Sequence, residues 1–551
     1  MKIKTICNPI NISCQYQKDF RSRETADPAV VLYGEDYFLF ASHGTGYWVS
    51  GDLADWRFIE VDTVKYPDFD KYAPAPMVTG KRMYITHAQR AGVLYSDDPY
   101  DPDSWVSVGC PYPWNDPAFL YDGGRVYMYE GCAPNGPISV MELDRENGMR
   151  LITQPKEIFW AESEKRGFER CGNMNEMNDR APYLEGAWVN RIGDKYYLTY
   201  AVPGTEFATY ADGCAISDSP IGPFEYCKNS PVAFKATGFM KGCGHGCLFY
   251  DKNGNLWKLG TVSVGVNHPF ERRICIFPAK ITKQGRLYVN AYRKDYPMLA
   301  PGEAVDHFKS GDAGWNLLSY KKKARASSVL DPDHGADKAF DENMSTMWSA
   351  ATQGKGQWLE ADLGREYDIC SVQINFADVD VPAHVGGRDS GYTYKYILEA
   401  AEQQGERFVI ADRSRGNNDL PNDYIQLDRV TRARYIRLTC CEDVPAGSKF
   451  AVSGLRVFGH GGEKAPKSPP RFTPVRCEDE RNMTVTWERR EDAQGYFVRF
   501  GIDPEEMYTH FQVLEGCRAD IGCLTKGVEY YVTVDAYNES GISYGTEIKR
   551  V

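Results

Sequence analysis

Apolar and polar residues alternate in short pairs of segments along the first half of the chain, and each pair is joined by a tight turn. The pattern occurs five times, in AVVLYGEDYFLFAS from Ala29, MVTGKRMYITHA from Met77, AFLYDGGRVYMYEG from Ala118, AWVNRIGDKYYLTYA from Ala187 and CLFYDKNGNLWKLG from Cys247. Alternation over a few residues on both sides of a Gly-containing turn is typical of β-hairpins. The sequence therefore predicts a hairpin that is repeated five times.

Repeats of about 40 to 70 residues leave room for two more strands each, which is typical of β-propeller blades around a central axis. We predict an all-β fold with a five-bladed β-propeller in residues 1–310. If each hairpin begins with the innermost strand, the residue two positions before it lies near the axis. Those residues are Asp27, Ala75, Asp116, Glu185 and His245. Three carboxylates and one imidazole are thus expected around one central cavity.

Glycine, aspartate and lysine replace the aromatic hairpins after Ala300, and a second all-β unit is predicted for residues 316–461. It contains an Ala-Ser-Ser opening, Ala339-Phe340-Asp341, Trp348, Trp358 and a closing RYIRL strand. These features resemble the discoidin, or coagulation factor type C, β-sandwiches. The resemblance implies a carbohydrate-binding type of domain, because members bind sugars or lipid head groups through variable loops.

A Gly/Pro/Lys linker, GHGGEKAPKSPP, begins at Gly459 and separates a third unit at residues 469–551. The third unit resembles a fibronectin type III β-sandwich, in which Trp487 corresponds to the core tryptophan and Tyr530 to the corner tyrosine. We expect it to act as a spacer.

The formal net charge of −12 and the absence of long basic runs argue against nucleic acid or an anionic membrane as partner. No apolar run reaches the roughly 18 residues of a membrane span. The first residues lack the apolar core of a signal peptide, so we expect a cytoplasmic protein, or a secreted one if a leader has been removed. The 16 cysteines are scattered, which predicts mostly free thiols. The oligomeric state is not predicted.

Asp27, Asp116 and Glu185 share the same offset in three repeats. Each Asp-Pro pair alone is more typical of a turn than of a catalytic site. Three carboxylates at one axis, however, are unfavourable unless one is protonated or a cation is shared. Glycoside hydrolysis needs one ionised and one protonated carboxyl on opposite sides of the scissile bond. The acid cluster therefore favours that chemistry.

The motifs Asp27-Pro28, Asp116-Pro117, Glu185-Gly186 and Gly244-His245-Gly246 are similar to those of glycoside hydrolase family 43. The resemblance implies that Asp27 is the general base, Asp116 tunes a pKa and Glu185 is the general acid of an inverting hydrolase. It also implies that His245 binds water around a central cation, often calcium, although the chemistry itself requires no cofactor. Two alternatives for His245 are a core histidine and a zinc ligand with Cys243 and Cys247.

Substrate contacts are predicted from residue type. Trp48, Trp114 and Trp188 are candidate sugar platforms, with burial in the blade cores as the alternative. Arg273, or else Arg272, is a candidate clamp for sugar hydroxyls. The polar insertion FWAESEKRGFERCGNMNEMNDRAPYLEG from Phe159 is expected to form a loop over the cavity.

The resemblance implies an exo-acting hydrolase of plant-type glycans that releases α-L-arabinofuranose or, second, β-D-xylose. A galactose-releasing hydrolase of the same family is one alternative. Trp114-Asn115-Asp116-Pro117 is also similar to a motif of sucrose-type five-bladed enzymes, but it stands in the third hairpin instead of at the start. A non-catalytic carbohydrate-binding protein is the alternative from another class, although binding alone does not require three carboxylates.

Overall fold

Strands dominate the computed structural model, which describes residues 3–17, 21–109, 112–382 and 392–551. The described helices are short: one α-helix at His307–Ser310 and 3-10 helices at Pro67–Asp70, Arg145–Asn147, Gly167–Glu169, Pro332–His334 and Ala336–Phe340. The strands form a five-bladed β-propeller, a discoidin-type β-sandwich and a further pair of sheets. The predicted all-β fold class is confirmed.

The first three blades follow the chain in order. Blade 1 consists of Ala29–Tyr33, Asp36–Phe40, Gly46–Ser50 and Arg57–Glu60. Blade 2 consists of Ala75–Thr79, Arg82–Thr86, Val93–Ser96 and Val106–Gly109. Blade 3 consists of Ala118–Asp122, Arg125–Glu130, Ile138–Asp144, Arg150–Leu151 and Lys156–Phe159. All neighbouring strands within these blades are antiparallel, as expected for strands joined by tight turns.

The last two blades also take strands from earlier parts of the chain. Blade 4 consists of Tyr183–Ile192, Lys195–Val202, Ala211–Ser217 and Glu225–Tyr226, with Ala133–Pro134 at its edge. Blade 5 consists of Leu248–Tyr250, Leu256–Ser263, Arg272–Ile281 and Leu287–Val289, with Gln15–Gln17 and Ser22–Glu24. The segment before blade 1 thus joins blade 5, where Glu24 pairs in parallel with Arg272. A separate pair of strands, Thr5–Ile6 and Met298–Leu299, ties the two ends of the propeller together.

Large apolar side chains fill the space between neighbouring blades. Between blades 1 and 2 they include Phe38, Tyr47, Met83, Ile85 and Trp105, all of which are buried. Alternation along each strand sends one set of side chains to each face, and both faces of a blade meet another blade. The blades are therefore packed on both sides, which explains their aromatic content.

In four of the five blades, a residue just before the innermost strand has a left-handed backbone conformation. The φ angle is +52° at Asp27, +45° at Ala73, +46° at Asp116 and +41° at His245. In blade 4 the adjacent Gly186, at +58°, takes this conformation. The innermost strand of blade 2 begins at Ala75, two residues earlier than the hairpin pattern indicates. The residue equivalent to Asp27 is therefore Ala73, and the predicted Ala75 is wrong by two positions.

In its described residues, the discoidin domain is built on one continuous eight-stranded sheet. Its strands are Asn316–Leu317, Lys323–Ala326, Trp348–Ser349, Trp358–Phe376, Tyr396–Ala401, Phe408–Asp412, Asn422–Cys440 and Ala451–His460. The two 19-residue strands bend at register shifts, so each takes part in both layers of the sandwich. Trp348 is fully buried in the core between them.

The last unit has two sheets. One contains Phe472–Arg476, Met483–Trp487 and Arg518–Ile521, and the other contains Gly495–Gly501, Thr509–Val513, Tyr531–Asn538, Gly541–Ser543 and Lys549–Arg550. Trp487 packs against Tyr496 with ring centroids 5.2 Å apart. The Tyr530 hydroxyl accepts a hydrogen bond from the backbone N–H of Thr525 at 3.0 Å. We refer to this unit, residues 469–551, as the C-terminal sandwich.

The C-terminal sandwich shares a hydrophobic core with blades 3 and 4, which contradicts the expectation of a spacer. Phe159, Phe168 and Phe234 of the propeller belong to the same buried cluster as Phe511 and Leu524 of the sandwich. Ring centroids of Phe234 and Phe511 lie 5.7 Å apart. A unit that buries large apolar side chains against its neighbour stabilises that neighbour.

The insertion between blades 3 and 4 is part of this interface and does not cover the cavity as predicted. The backbone N–H of Gly167 donates to the carbonyl of Leu524 at 2.8 Å, and the Arg170 guanidinium donates to the carbonyl of Gly522 at 2.8 Å. Arg481 of the sandwich donates in turn to the carbonyl of Ser163 at 2.8 Å. The polar residues of the insertion thus form hydrogen bonds with the C-terminal sandwich, and the sequence pattern alone does not show this pairing.

A spacer role predicts that deleting the residues after Gly461 leaves turnover within a few-fold of the full chain. Because of the shared core, we expect instead that this deletion destabilises the propeller. Exposure of several buried side chains, each worth about 1.5–3 kcal/mol, should lower the midpoint of thermal unfolding by about 10 °C or more. The control is the full chain nicked by a protease within residues 463–468, in which the sandwich stays docked. An unchanged midpoint in the truncated chain would restore the spacer role.

Fifteen cysteines of the described residues are free thiols, and Cys110 lies outside those residues. Within the same part of the chain, no helix is long and apolar enough to cross a membrane.

Candidate active site

A central cavity of about 300 Å³ opens among the blades. Four of the five predicted axial residues line it, each from a different blade: Asp27, Asp116, Glu185 and His245. The remaining lining residues are Tyr72, Ala88, Gln89, Asn115, Cys132, Thr205, Phe270 and Arg272. Residues up to 245 positions apart in the sequence therefore meet at one place.

Asp27 is a buried carboxylate held on both oxygens. Its Oδ1 accepts from the guanidinium of Arg272 at 3.0 Å, and its Oδ2 accepts from the Ser42 hydroxyl at 2.5 Å. Burial raises the pKa of Asp27, but Arg272, His245 and Ser42 together outweigh burial, so the pKa lies below its ordinary value. Asp27 is therefore ionised at neutral pH.

Asp116 and Glu185 form a close pair with Cys132. One ligand atom from each of the three residues lies within 4.8 Å of those of the other two. The Cys132 thiol donates to Oε2 of Glu185 at 3.3 Å, and the Tyr210 hydroxyl donates to Oε1 at 2.5 Å. These two donors fix the orientation of the Glu185 carboxyl from both sides.

Both carboxyls of this pair have raised pKa values. Burial, reinforced by the charges of Glu185 and Asp27 and opposed by His245, raises the pKa of Asp116 to about 7. Burial also raises the pKa of Glu185, with a further contribution from Asp27 and with His245 and Tyr210 opposing. Carboxyls this close titrate as a pair. The cavity therefore contains one ionised carboxylate, Asp27, and a pair that retains a proton near neutral pH.

His245 is directed at the acids. Its Nδ1 lies 3.3 Å from Oδ1 of Asp27 and 3.6 Å from Oδ2 of Asp116, and its backbone N–H donates to Asp212 at 2.9 Å. Gly186 makes room for the ring, since a Cβ at that position would lie 2.6 Å from Cγ of His245. The imidazole thus lies between Asp27 and Asp116.

A protein-coordinated metal at His245 does not fit these contacts. Calcium takes six to eight oxygen ligands, whereas the one three-residue ligand group found among the described residues contains the Cys132 thiol and not His245. A zinc site is not formed either, because Cys243 and Cys247 are fully buried and do not group with His245 in the described structure.

Two segments of the chain match family models. Residues 16–287 match the model of glycosyl hydrolases family 43, and residues 323–450 match the F5/8 type C domain. The propeller is a family 43 glycosyl hydrolase domain. The predicted discoidin domain is also confirmed, and the chain is a glycosidase. No curated protein matches the chain.

Several solved structures are similar to the chain. A glycoside hydrolase is 18% identical over 81% of this chain and 99% of its own, with a TM-score of 0.46. A thermostable family-43 glycoside hydrolase is 20% identical over 54% and 100%, with a TM-score of 0.44. An endo-1,4-beta-xylanase from Bacteroides thetaiotaomicron is 19% identical over 49% and 96%, with a TM-score of 0.40. The family assignment comes from the family model and not from these structures.

Arg272, and not the predicted Arg273, lines the cavity of the family 43 domain. Arg273 points the other way: it donates to the carbonyl of Arg23 at 2.6 Å and lies 3.8 Å from Asp378 of the discoidin domain. The two arginines are adjacent in one strand, so their side chains leave from opposite faces. Arg272 is itself engaged by Asp27 and Glu24.

The three predicted tryptophan platforms do not line the cavity. Trp114 is fully buried between blades 2 and 3. Trp48 is buried as well and donates to Ser13, while Trp188 donates to the carbonyl of Leu248 within the blade cores. The alternative interpretation as blade core is therefore the right one for all three.

Two aromatic residues that the sequence analysis did not single out line the cavity. The rings of Tyr72 and Phe270 meet edge to face with centroids 5.7 Å apart, and the Arg272 guanidinium lies 4.8 Å from the centre of the Phe270 ring. Tyr72 directly precedes Ala73, and Phe270 stands two positions before Arg272. These offsets from the axial residues were the available sequence clue.

Replacing Asp116 by Asn is expected to move the basic limb of the kcat/KM profile to lower pH. That limb should fall where the Asp116–Glu185 pair loses the proton it retains, and without the charge of Asp116 the loss of a proton from Glu185 is easier. Since repulsion between two carboxylates raises the pKa, removing the Asp116 charge should lower the pKa of Glu185. The measurement is kcat/KM against pH for the wild type and Asp116→Asn on one aryl glycoside. A basic limb that stays in place, or moves up, would show that Asp116 does not tune the acid.

Proposed function

We propose that this protein is an inverting exo-glycosidase that releases terminal α-L-arabinofuranose, with β-D-xylose as the second choice. The observation that carries the proposal is the difference between the carboxyls of one cavity. Asp27 has a pKa below its ordinary value, and the Asp116–Glu185 pair has raised values. Glycoside hydrolysis requires this combination of an ionised carboxylate and a protonated acid, and inversion is what the family resemblance adds.

In the proposed reaction Asp27 takes a proton from water as that water attacks the anomeric carbon. Arg272 and Ser42 hold the carboxylate so that it faces the cavity in its ionised form. Glu185 donates its proton to the departing oxygen, and Tyr210 with Cys132 keeps the carboxyl oriented. Asp116 shares the retained proton with Glu185, and repulsion between the two carboxylates makes that proton harder to lose before the substrate binds. The product has the opposite anomeric configuration to the substrate.

The size of the cavity supports action at a chain end. Its volume of about 300 Å³ is at the lower limit of ordinary ligand pockets. Tyr72 and Phe270 provide apolar ring surface, on which the C–H face of a sugar packs. Gln89, Asn115 and Thr205 provide side-chain amides and a hydroxyl for hydrogen bonds to sugar hydroxyls. A terminal sugar unit is the ligand that suits this lining.

A panel of nitrophenyl α-L-arabinofuranoside, β-D-xyloside and β-D-galactoside tests the proposal. We expect turnover to be highest on the arabinofuranoside, and NMR of the first product should show inversion. Preference for the galactoside would favour the galactose-releasing alternative. Binding of these sugars without turnover of any of them would favour a non-catalytic carbohydrate-binding protein. A retained anomeric configuration would exclude the roles given to Asp27 and Glu185.

Three further assignments are proposed. The grouping of strands, Trp487 and the Tyr530 hydrogen bond support a fibronectin type III fold for the C-terminal sandwich. A calcium ion near His245 would have to be held through water, and a rise in the thermal midpoint on adding calcium to chelator-treated protein would support it. The free thiols support a reducing compartment such as the cytoplasm.

A further inference from the structure

A buried carboxylate of the discoidin domain, Asp378, lies against the strands that carry the cavity residues. Its side chain is fully buried and lies 2.7 Å from the guanidinium of Arg23, which is 1% exposed. Its Oδ2 also accepts from the backbone N–H of Arg23 at 3.1 Å, and its Oδ1 accepts from the Tyr16 hydroxyl at 2.7 Å. Asp378 therefore holds both the side chain and the backbone of one propeller strand.

That strand stands directly beside the cavity. Glu24 follows Arg23 and pairs in parallel with Arg272 of blade 5. Because successive side chains of a strand leave from opposite faces, Arg23 and Arg273 face the discoidin domain, while Glu24 and Arg272 face the cavity. One face of these two strands is thus directed at the cavity and the other at the discoidin domain. Asp378 lies against the face that is directed at the discoidin domain.

Contacts on the inner side lead to the proposed base. The carboxylate of Glu24 accepts from Nε and a terminal nitrogen of Arg272. Another nitrogen of Arg272 donates to Oδ1 of Asp27 at 3.0 Å. Every side chain in this row is buried. The position of Asp27 therefore depends on the strand that Asp378 holds.

The discoidin domain also supports the loop that carries Phe270. The carbonyl oxygen of Asp378 accepts from the Asn267 side chain at 2.9 Å. The Ser345 hydroxyl donates to the carbonyl of Val264 at 3.0 Å. Asn267 and Val264 both belong to the connection between the second and third strands of blade 5. This connection also contains Phe270, and the third strand begins at Arg272. The discoidin domain thus contacts both the strand beside Asp27 and the loop that leads to Phe270.

Aromatic residues of the discoidin domain complete this contact. Tyr392 stacks on Tyr16 with centroids 4.4 Å apart, and the Arg23 guanidinium lies 4.9 Å from the centre of the Tyr394 ring. These tyrosines follow directly after the part of the discoidin domain that is not described. The rings of Tyr392 and Tyr394 pack against propeller residues, so this edge of the discoidin domain is an interface with the propeller of the same chain.

We propose that the discoidin domain is a structural part of the catalytic site and that Asp378 is a positioning residue for Asp27. The proposal rests on the proposed role of Asp27 as general base. Asp378 neutralises Arg23 and keeps Glu24 facing Arg272, which in turn holds the base. Without this carboxylate, the buried Arg23 charge keeps the Phe376 carbonyl but has no ion-pair partner among the described residues, and the strand must shift to satisfy it. A shift of the base by about 1 Å is enough to slow the reaction up to 100-fold.

The test is Asp378→Asn in the full chain, which keeps the shape of the side chain and removes its charge. We expect kcat/KM on a nitrophenyl glycoside to fall about 10- to 100-fold. Asp423→Asn is the matched control, since Asp423 is a buried discoidin carboxylate bonded to Tyr396 and Arg413 of its own domain. The control should lose thermal stability and keep its activity within about 3-fold per folded molecule.

A double-mutant cycle separates positioning from general destabilisation. In an Arg272→Lys background, Asp378→Asn should lower kcat/KM by less than about 3-fold, because the row that connects it to Asp27 is already broken. If the two effects instead multiply, or if Asp378→Asn is as active as Asp423→Asn, the positioning role is wrong. Asp27→Asn is assayed alongside, and if it retains activity, the proposed function itself fails.

If Asp378→Asn does not fold, Arg23→Lys tests the same ion pair. Lysine keeps the charge but cannot hold the carboxylate through two nitrogens, so the change is milder. We expect a loss of about 5-fold in kcat/KM, and this loss should disappear in the Arg272→Lys background. An Arg23→Lys protein with wild-type activity would overturn the proposal.

Discussion

Asp27→Asn should lower kcat/KM by about 10²- to 10⁴-fold on every substrate, because no group remains to take the proton from the attacking water. The loss should be similar for a dinitrophenyl glycoside and for a natural glycoside. A better leaving group does not replace the base, since the water must still be deprotonated. The measurement is kcat/KM on both substrates at the optimum pH of the wild type.

The matched control for this change is Asp251→Asn. Asp251 is also a buried aspartate of the propeller, but it accepts from Trp257 and Asn255 within blade 5 and does not line the cavity. Its amide variant should be less stable and still turn over substrate. If Asp27→Asn is rescued by the dinitrophenyl leaving group, then the base and the acid are exchanged.

Glu185→Gln should show the opposite dependence on the leaving group. Glutamine cannot protonate the departing oxygen, so the natural glycoside should lose about 10²- to 10⁴-fold in kcat/KM. Dinitrophenolate departs without a proton, and this substrate should lose far less. The ratio of the two losses is the quantity to measure, since it does not depend on the fraction of folded protein.

Tyr210→Phe is a useful companion to Glu185→Gln, because it leaves the acid in place and removes one of its two donors. Its hydroxyl donates to Oε1 of Glu185 at 2.5 Å. We expect a smaller loss with the same preference for the activated leaving group. Equal losses of Glu185→Gln on both substrates would contradict the acid role and place Glu185 among the residues that only shape the cavity.

The sequence alone was sufficient to predict the repeated elements and the convergence of four side chains. Hairpins follow from alternation and turn residues, which act over a few positions. Repetition of one hairpin five times implies a ring, and an equal offset in each repeat implies a common axis. For that reason the positions of Asp27, Asp116, Glu185 and His245 within their repeats were enough to place them in one cavity.

The direction of a side chain within the ring was decided by tertiary structure. Arg272 and Arg273 are identical in type and adjacent, and only the pairing of Glu24 with Arg272 shows which one faces the cavity. Trp48, Trp114 and Trp188 look like sugar platforms by composition, yet both faces of a blade are covered by other blades. Sequence alternation gives two faces and does not say what lies against each.

Contacts between the three units were decided in the same way. The insertion after blade 3 contains polar residues and glycine, which is typical of a loop at a cavity, and yet Gly167 and Arg170 bond to the C-terminal sandwich. Asp378 is one aspartate among many in the sequence, and it becomes important only because Arg23 lies beside it. Local patterns determine strands and turns, whereas the partner of a buried charge or an apolar face depends on residues hundreds of positions away, which only the folded chain brings into contact.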